Sequence, residues 1–133
     1  MNALDQEGPP MFKIALPILG VSSSVAAEKF YCDQLGFRRA YAYRPNPQKL
    51  DPCWLGVIRD GAHLVLSSFA GDGPPGTRNV QLLVDDVVEI QREFTKAGVD
   101  CGGEIQDQSW GHLEFNAVDP DGNRLNFAQE KNG

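Results

Sequence analysis

Residues 109–128, SWGHLEFNAVDPDGNRLNFA, contain the pattern that decides the fold. Apolar and polar residues alternate over residues 113–118 and again over residues 124–128, which is typical of two half-buried strands. The four residues 119–122 between them, Asp-Pro-Asp-Gly, are strong turn formers. The stretch therefore predicts a β-hairpin.

A helix and a strand are predicted before this hairpin. Apolar residues recur there at helical spacing, at Val87, Ile90, Phe94 and Ala97. Asp86 with Glu89 predicts a capped N-terminus, and Gly98 predicts the end of the helix. Strands are expected over residues 79–84, before the helix, and 104–106, after it. This half of the chain thus has the order strand, helix and three strands.

The first half of the chain repeats this order. A strand over residues 13–18 precedes a helix over 24–35, and a strand over 37–43 follows. Residues 54–59 and 62–68 flank Asp60-Gly61, a dipeptide that favours a type I′ hairpin turn. We therefore predict a disordered tail and two modules with a Gly- and Pro-rich linker, with the bounds 1–11 (tail), 12–70 (first module), 71–77 (linker) and 78–130 (second module).

Composition and charge exclude several classes of protein. Hydrophobic residues make up 41% of the chain, which is enough to form a core. The net charge of −6 argues against a nucleic-acid partner, because phosphate binding needs a basic face. No apolar run has the length of a membrane span, and the polar segment 1–10 lacks the apolar stretch of a signal peptide. Three cysteines without ligand spacing predict free thiols, and we expect a cytoplasmic protein.

Four segments carry further motifs: 30–37, FYCDQLGF, 55–61, LGVIRDG, 109–115, SWGHLEF, and 119–127, DPDGNRLNF. Together they resemble the vicinal oxygen chelate superfamily of glyoxalase I, extradiol dioxygenases, and fosfomycin and bleomycin resistance proteins. The first segment is similar to the end of that family's first helix, and the other three resemble the hairpins of bleomycin resistance proteins. The resemblance covers roughly residues 12–130.

The resemblance implies an α+β fold of two βαβββ modules. Each module is a curved mixed sheet around a cleft, with helices on the outer face. It also implies a homodimer, and in the bleomycin-binding members the N-terminal strand is exchanged between subunits. A proline in strand one accompanies that exchange, and Pro17 stands at this place. A proline at the edge of an unexchanged strand is the alternative.

Strand alternation predicts which side chains face the cleft. In strand one, Ile14, Leu16 and Ile18 are expected to pack on the helix, which leaves Lys13, Ala15 and Pro17 in the cleft. Metal-dependent relatives bind the ion with four side chains, for which the equivalent positions are Lys13, Val65, Asn79 and Asn126. Lysine and valine are not ordinary ligands, so we expect no metal and no cofactor. His63 is the nearest alternative ligand, and a one-residue slip in register would reverse the faces.

No catalytic residue set is predicted. His112 and Glu114 share one face of a strand, where they could form an acid–base pair. A polar strand face is the favoured interpretation, because no other reactive group converges on them. Ser22, Ser23 and Ser24 are better explained as helix caps than as nucleophiles.

The predicted function is therefore metal-independent binding of a small molecule such as a bleomycin-like antibiotic, in a groove at a homodimer interface. The resemblance places Tyr41, Trp54 and Trp110 where relatives stack aromatic ligands, although the two tryptophans could instead belong to the core or the dimer interface. The candidate ligand-binding residues are Tyr41, Trp54, His63, Ser67, Trp110, Gly111 and Asn126. The alternative is a lyase, isomerase or dioxygenase of the same superfamily.

Overall fold

The computed structural model describes residues 8–131, so most of the tail predicted over residues 1–11 lies outside the described residues. The strands are β1 (Ile18–Gly20), β2 (Arg38–Tyr43), β3 (Trp54–Arg59), β4 (Ala62–Ser67), β5 (Asn79–Leu83), β6 (Gln106–Asp107), β7 (His112–Val118) and β8 (Arg124–Glu130). The helices are α1 (Ser24–Glu28), which continues as a π-helical segment over Lys29–Gln34, and α2 (Val87–Lys96). A 3-10 turn covers Ala70–Asp72.

The strands form two sheets of the same topology. Their strand orders are β1-β4-β3-β2 and β5-β8-β7-β6. In each sheet the first strand pairs in parallel with the last, and the other pairs are antiparallel. α1 packs on β3 and β4, and α2 packs on β7 and β8. The prediction of an α+β fold with two βαβββ modules is therefore confirmed.

The first helix differs from the predicted pattern because it widens into a π-helical segment. The Leu35 N–H donates to the Phe30 carbonyl, five residues earlier, which turns Phe30, Tyr31 and Leu35 towards the core together. Val25, in the first turn of α1, is half exposed. No helix in the described part of the chain is long and apolar enough to cross a membrane.

The second helix follows the predicted pattern closely. Val87 and Phe94 are buried, and the Phe94 ring packs edge-on against Phe115 and Phe127. The Asp86 carboxylate accepts the Glu89 N–H at 3.1 Å, which is the predicted N-terminal cap. Ala97 is the exception: it lies at the end of the helix and is exposed.

The DPDGN turn joins the two modules. The Asp119 carboxylate accepts three backbone N–H groups of its own turn and the Tyr31 hydroxyl of α1, at 2.8 Å for the latter. Asn123, which is fully buried, donates to the Gly20 carbonyl and accepts the Arg78 N–H. Burial and the neighbouring Asp119 raise the pKa of Tyr31, so its hydroxyl stays a donor. These residues stabilise the junction.

The predicted faces of strand one are wrong by one residue. β1 begins only at Ile18, and the buried side chains are Leu19 and Val21 rather than the even-numbered residues. Ile14 and Leu16 are 55% and 44% exposed, so they do not pack on α1. The short apolar run allowed either register, and the core selects the one that buries Leu19.

Candidate functional site

An aromatic cluster lies on the first sheet. The Trp54 indole N–H donates to the Tyr41 hydroxyl at 3.1 Å. The Tyr41 ring covers Gly56, where a Cβ atom would overlap the ring. Glycine at this strand position is therefore required for the ring to lie flat on the sheet. Tyr41 is 45% exposed, and Trp54 is half-buried.

Tyr43 and Phe69 extend this cluster and were not among the predicted site residues. Their rings lie within 8° of parallel, with centroids 6.5 Å apart. Together with Trp54 they line an open depression of about 590 Å³, which Gly71 and Asp72 complete. Strand alternation was the available signal for Tyr43, because it lies two residues from Tyr41 and shares its face.

The structure pairs Ser67 with Trp54 across β3 and β4 and places His63 apart from the aromatic rings. Ser67 is buried, and its hydroxyl donates to the Asp72 carboxylate at 2.6 Å and accepts the Phe69 N–H. Its role is thus to hold the turn that carries Phe69. His63 lies near the other end of β4, where it lines a different groove.

A polar network centred on Glu114 lies on the second sheet. Glu114 is only 6% exposed. One carboxylate oxygen accepts the Trp110 indole N–H at 2.8 Å and lies 3.2 Å from His112 Nδ1. An ionised carboxylate can only accept, so the Nδ1–H of His112 is the donor. The other oxygen accepts the Asn126 amide at 3.0 Å.

The network continues across the sheet through amide side chains. Asn126 also donates to the Asn116 amide oxygen and accepts a hydrogen bond from Gln81 at 2.9 Å. Burial raises the pKa of Glu114, but the hydrogen bonds from Trp110, Asn126 and His112 outweigh it and hold the pKa below its ordinary value. Glu114 is therefore an ionised acceptor that fixes its neighbours.

Trp110 is the most exposed large side chain of this network. Its ring is 63% exposed while its N–H is held by Glu114. Gly111 follows with a φ of 93°, a conformation that favours glycine, and it leaves open space beside the ring. This arrangement presents a flat apolar face in a fixed orientation. The alternative that Trp110 is a core residue is wrong for this chain.

The predicted ligand-binding residues thus fall into separate places. Tyr41, Trp54 and Ser67 lie together on the first sheet, and Trp110, Gly111 and Asn126 lie together on the second. His63 belongs with neither group. His112, Glu114 and Gln81, which the prediction left out of the ligand site, connect the second group.

Strand pairing also corrects the positions considered for a metal. Ile18, not Lys13, lies beside Val65, and Gln81, not Asn79, lies beside Asn126. The side chains of Ile18 and Val65 contain only carbon, and Gln81 and Asn126 are amides that form a hydrogen bond with each other. Among residues 8–131, no three His, Cys, Asp or Glu side chains come together in a group that could hold a metal ion. The residues present therefore do not fit a superfamily metal site.

The loop between β2 and β3 is attached to the first helix. The Arg44 guanidinium donates to the Leu50 carbonyl at 2.8 Å and to the buried Ser24 hydroxyl. Asp51 accepts the Ser24 N–H and the Ser68 hydroxyl. These contacts hold the loop against the start of α1.

An extended segment precedes β1 and leaves its apolar side chains in solvent. Met11 and Phe12 are 89% and 97% exposed. The pairing of β1 with β4 covers Val65–Ser67, and within the described residues no strand pairs with that edge of β4 over residues 62–64. Next to this edge lies a groove of about 630 Å³ between the modules, lined by apolar side chains that include Val80, Leu82, Val84, Ile90 and Phe94.

Comparisons with known proteins agree with this architecture. The family model described as glyoxalase superfamily protein matches residues 4–133. A comparison with curated protein sequences finds no significant match.

Several solved structures are similar over almost their whole length. A glyoxalase/bleomycin resistance protein from Streptomyces sp. CB03234 is 30% identical, with a TM-score of 0.70, and the alignment covers 86% of this chain and 97% of that one. TnmS3, an antibiotic binding protein from the same organism, is 28% identical, with a TM-score of 0.75 and coverage of 92% and 99%. A bleomycin-binding protein from Streptomyces verticillus, complexed with copper(II)-bleomycin, shares the fold at 22% identity, with a TM-score of 0.68 and coverage of 90% and 97%. The chain belongs to the glyoxalase superfamily.

Proposed function

We propose that this protein is a metal-independent binding protein that sequesters a bleomycin-like antibiotic or a similar aromatic compound at a homodimer interface. The observation that carries the proposal is the Trp110 ring, which is exposed and yet fixed through its N–H by a buried carboxylate. An exposed ring held in one orientation binds a flat ligand at little further entropic cost. Similarity to TnmS3, an antibiotic binding protein, supports the same function.

The two aromatic surfaces are complementary halves of a ligand groove. The first sheet contributes Tyr41 and Trp54, and the second contributes Trp110 above a floor of amides. Aromatic rings bind flat heteroaromatic groups, and the amides fix their polar edges. In a dimer the first sheet of one subunit faces the second sheet of its partner, and this pairing closes the groove.

The N-terminal segment supplies the contact that holds the dimer. Met11, Phe12, Ile14 and Leu16 are exposed, while the edge of β4 and the apolar groove beside it are open. If the N-terminal segment separates from its own sheet at Pro17, it can pair with the edge of β4 in a second copy of the chain. Burying these four side chains would contribute about 1.5–3 kcal/mol each. This exchange buries the apolar side chains of the N-terminal segment and gives the backbone groups at the edge of β4 hydrogen-bond partners.

The alternative, a lyase, isomerase or dioxygenase of the superfamily, would use His112 and Glu114 as its acid–base pair. Both Glu114 oxygens already accept hydrogen bonds, and its lowered pKa makes it a weak base. We infer that the pair positions Trp110 and performs no chemistry. A stoichiometric metal in the purified protein would contradict this proposal and favour the enzyme.

Calorimetric titration with metal-free and copper-loaded bleomycin tests the binding function. We expect binding by both forms, accompanied by a change in tryptophan fluorescence, and a loss of about tenfold or more in affinity for Trp110→Ala. Val88→Ala, a truncation of an exposed apolar side chain on α2, outside the proposed groove, is the control and should bind like the wild type. If bleomycin and other flat antibiotics give neither heat nor a fluorescence change, the sequestration proposal is wrong.

Light scattering after size exclusion tests the dimer. We expect the full chain to elute as a dimer and a variant with Phe12→Asp and Leu16→Asp to elute as a monomer, because the charges prevent burial of the N-terminal segment. Val25→Asp, on the exposed face of α1, is the control and should remain dimeric. A monomeric wild type would remove the shared groove.

A further inference from the structure

The depression lined by Tyr43, Trp54, Phe69 and Asp72 combines flat apolar walls with one acidic group. Tyr43 is 59% exposed, and its ring plane is nearly parallel to that of Phe69. The two planes therefore define one direction in which a further flat ring can stack. None of the residues predicted to bind ligand, apart from Trp54, lines this depression.

Asp72 gives the depression its charge. One carboxylate oxygen accepts the buried Ser67 hydroxyl at 2.6 Å, which fixes the orientation of the group. The Arg78 guanidinium lies nearby, but it donates to the Asp72 backbone carbonyl and to the Thr77 hydroxyl rather than to the carboxylate. The second carboxylate oxygen can therefore accept a hydrogen bond from a ligand or face its positive charge.

We propose that this depression is a subsite for a planar, positively charged group, such as a heteroaromatic cation or an aryl ammonium. The ring faces attract a cation through their negative quadrupole, and the Asp72 carboxylate adds direct attraction. The acidic balance of the chain, −6, favours the same sign of ligand. This subsite rests on the proposed binding function and specifies the chemistry of one group of the ligand.

Calorimetric titration of the full chain with N-methylquinolinium and with neutral quinoline, at mildly alkaline pH, tests this subsite. The two probes share a flat bicyclic shape and differ in charge. We expect the cation to bind about fivefold or more tightly than the neutral compound. Asp72→Asn keeps the acceptor for the Ser67 hydroxyl and removes the charge, so it should abolish that preference. Asp33→Asn, an exposed acidic residue on the first helix, should leave it unchanged.

Variants of Tyr43 separate stacking from charge. Tyr43→Ala should weaken the cation and quinoline alike by about threefold to tenfold, whereas Tyr43→Phe should bind both as the wild type does. Each variant is checked for an unchanged melting temperature, which is expected because the Tyr43 side chain is exposed.

The outcomes distinguish the subsite from the proposed function. Equal affinity for both probes, or a charge preference that survives Asp72→Asn, overturns the subsite, and bleomycin binding in that case leaves the sequestration function intact. A charge preference that depends on Asp72, in a protein that binds no antibiotic, supports the subsite and contradicts sequestration. Absence of binding by every flat compound overturns both.

Discussion

Replacing Glu114 with glutamine tests whether the buried carboxylate organises the polar network of the second sheet. The substitution keeps the size and shape of the side chain and removes its charge. In the native protein the carboxylate accepts hydrogen bonds from Trp110, His112 and Asn126. A glutamine amide has one oxygen and one NH₂ group, so it cannot accept on both sides.

The glutamine amide has two orientations, and the more favourable one determines the loss of stability. In that orientation the amide oxygen points towards Trp110 and His112, so the new NH₂ group faces the NH₂ group of Asn126. Asn126 cannot rotate without losing its hydrogen bonds to Gln81 and Asn116. The hydrogen bonds from Trp110 and His112 then end on a neutral oxygen, and two buried NH₂ groups, both of them donors, face each other. We expect Glu114→Gln to lower the free energy of unfolding by about 2–4 kcal/mol.

Urea denaturation followed by circular dichroism measures this free energy, and an unchanged slope with denaturant shows that the same surface unfolds. Glu104→Gln, an exposed glutamate in the segment before β6, is the control and should change stability by less than about 0.5 kcal/mol. A loss below about 0.5 kcal/mol for Glu114→Gln would refute the network, because changes of that size occur at ordinary surface positions.

The same carboxylate predicts a pH dependence. The pKa of Glu114 is lowered in the folded protein, so folding releases protons and the stabilisation is complete above the ordinary pKa of 4.5. It is lost as the pH falls through the lower folded-state value. The difference in unfolding free energy between wild type and Glu114→Gln should therefore narrow below that ordinary value. A difference that widens on acidification would contradict an ionised Glu114.

Three further predictions concern the junction, the first sheet and the thiols. Asn123→Ala leaves the Arg78 N–H without its acceptor and removes the hydrogen bonds from Asn123 to the Gly20 carbonyl and to Asp119 at a buried site, so it should lower the unfolding free energy in urea by about 2–4 kcal/mol; a loss of a few tenths would contradict that role. Gly56→Ala should displace the Tyr41 ring and weaken bleomycin binding in calorimetry by about threefold to tenfold, with the dimer retained. Burial raises the pKa of all three thiols, so at neutral pH only the half-buried Cys32 should react, slowly, with a disulfide reagent before denaturation; fast reaction of all three would contradict it.

The paired-module fold was predictable because its signals are local. The Asp60-Gly61 turn fixes one hairpin, as predicted. Its type is not I′, because that turn requires a positive φ at both central residues and only Asp60, with a φ of 50°, has one. The apolar spacing of Val87 and Phe94 places α2 on its sheet without knowledge of the other module. The faces of strand one were predicted wrongly because its apolar residues occur in both registers. Only packing against the core distinguishes Leu19 from Ile18 as the buried residue.

The candidate site was only partly predictable, because its contacts cross between strands. Trp110 was identified from its loop context, but its hydrogen bond to Glu114 depends on the turn at Gly111. Phe69 joins Tyr43 through a 3-10 turn that no periodic pattern indicates. Ser67 shows the reverse error, since strand alternation places it in the cleft while its hydroxyl is used by Asp72.

The amides of the second sheet fit the proposed binding function better than metal chemistry. Gln81 and Asn126 lie side by side on β5 and β8 and bind each other, and Asn126 also donates to Glu114. Glu114, the strongest acceptor in the cleft, is thus already engaged by N–H donors rather than free for a cation. The first sheet offers Ile18 and Val65, whose side chains have no atoms that can bind a metal. In the proposed function, these amides bind the polar edges of a flat ligand, and no metal is needed for that contact.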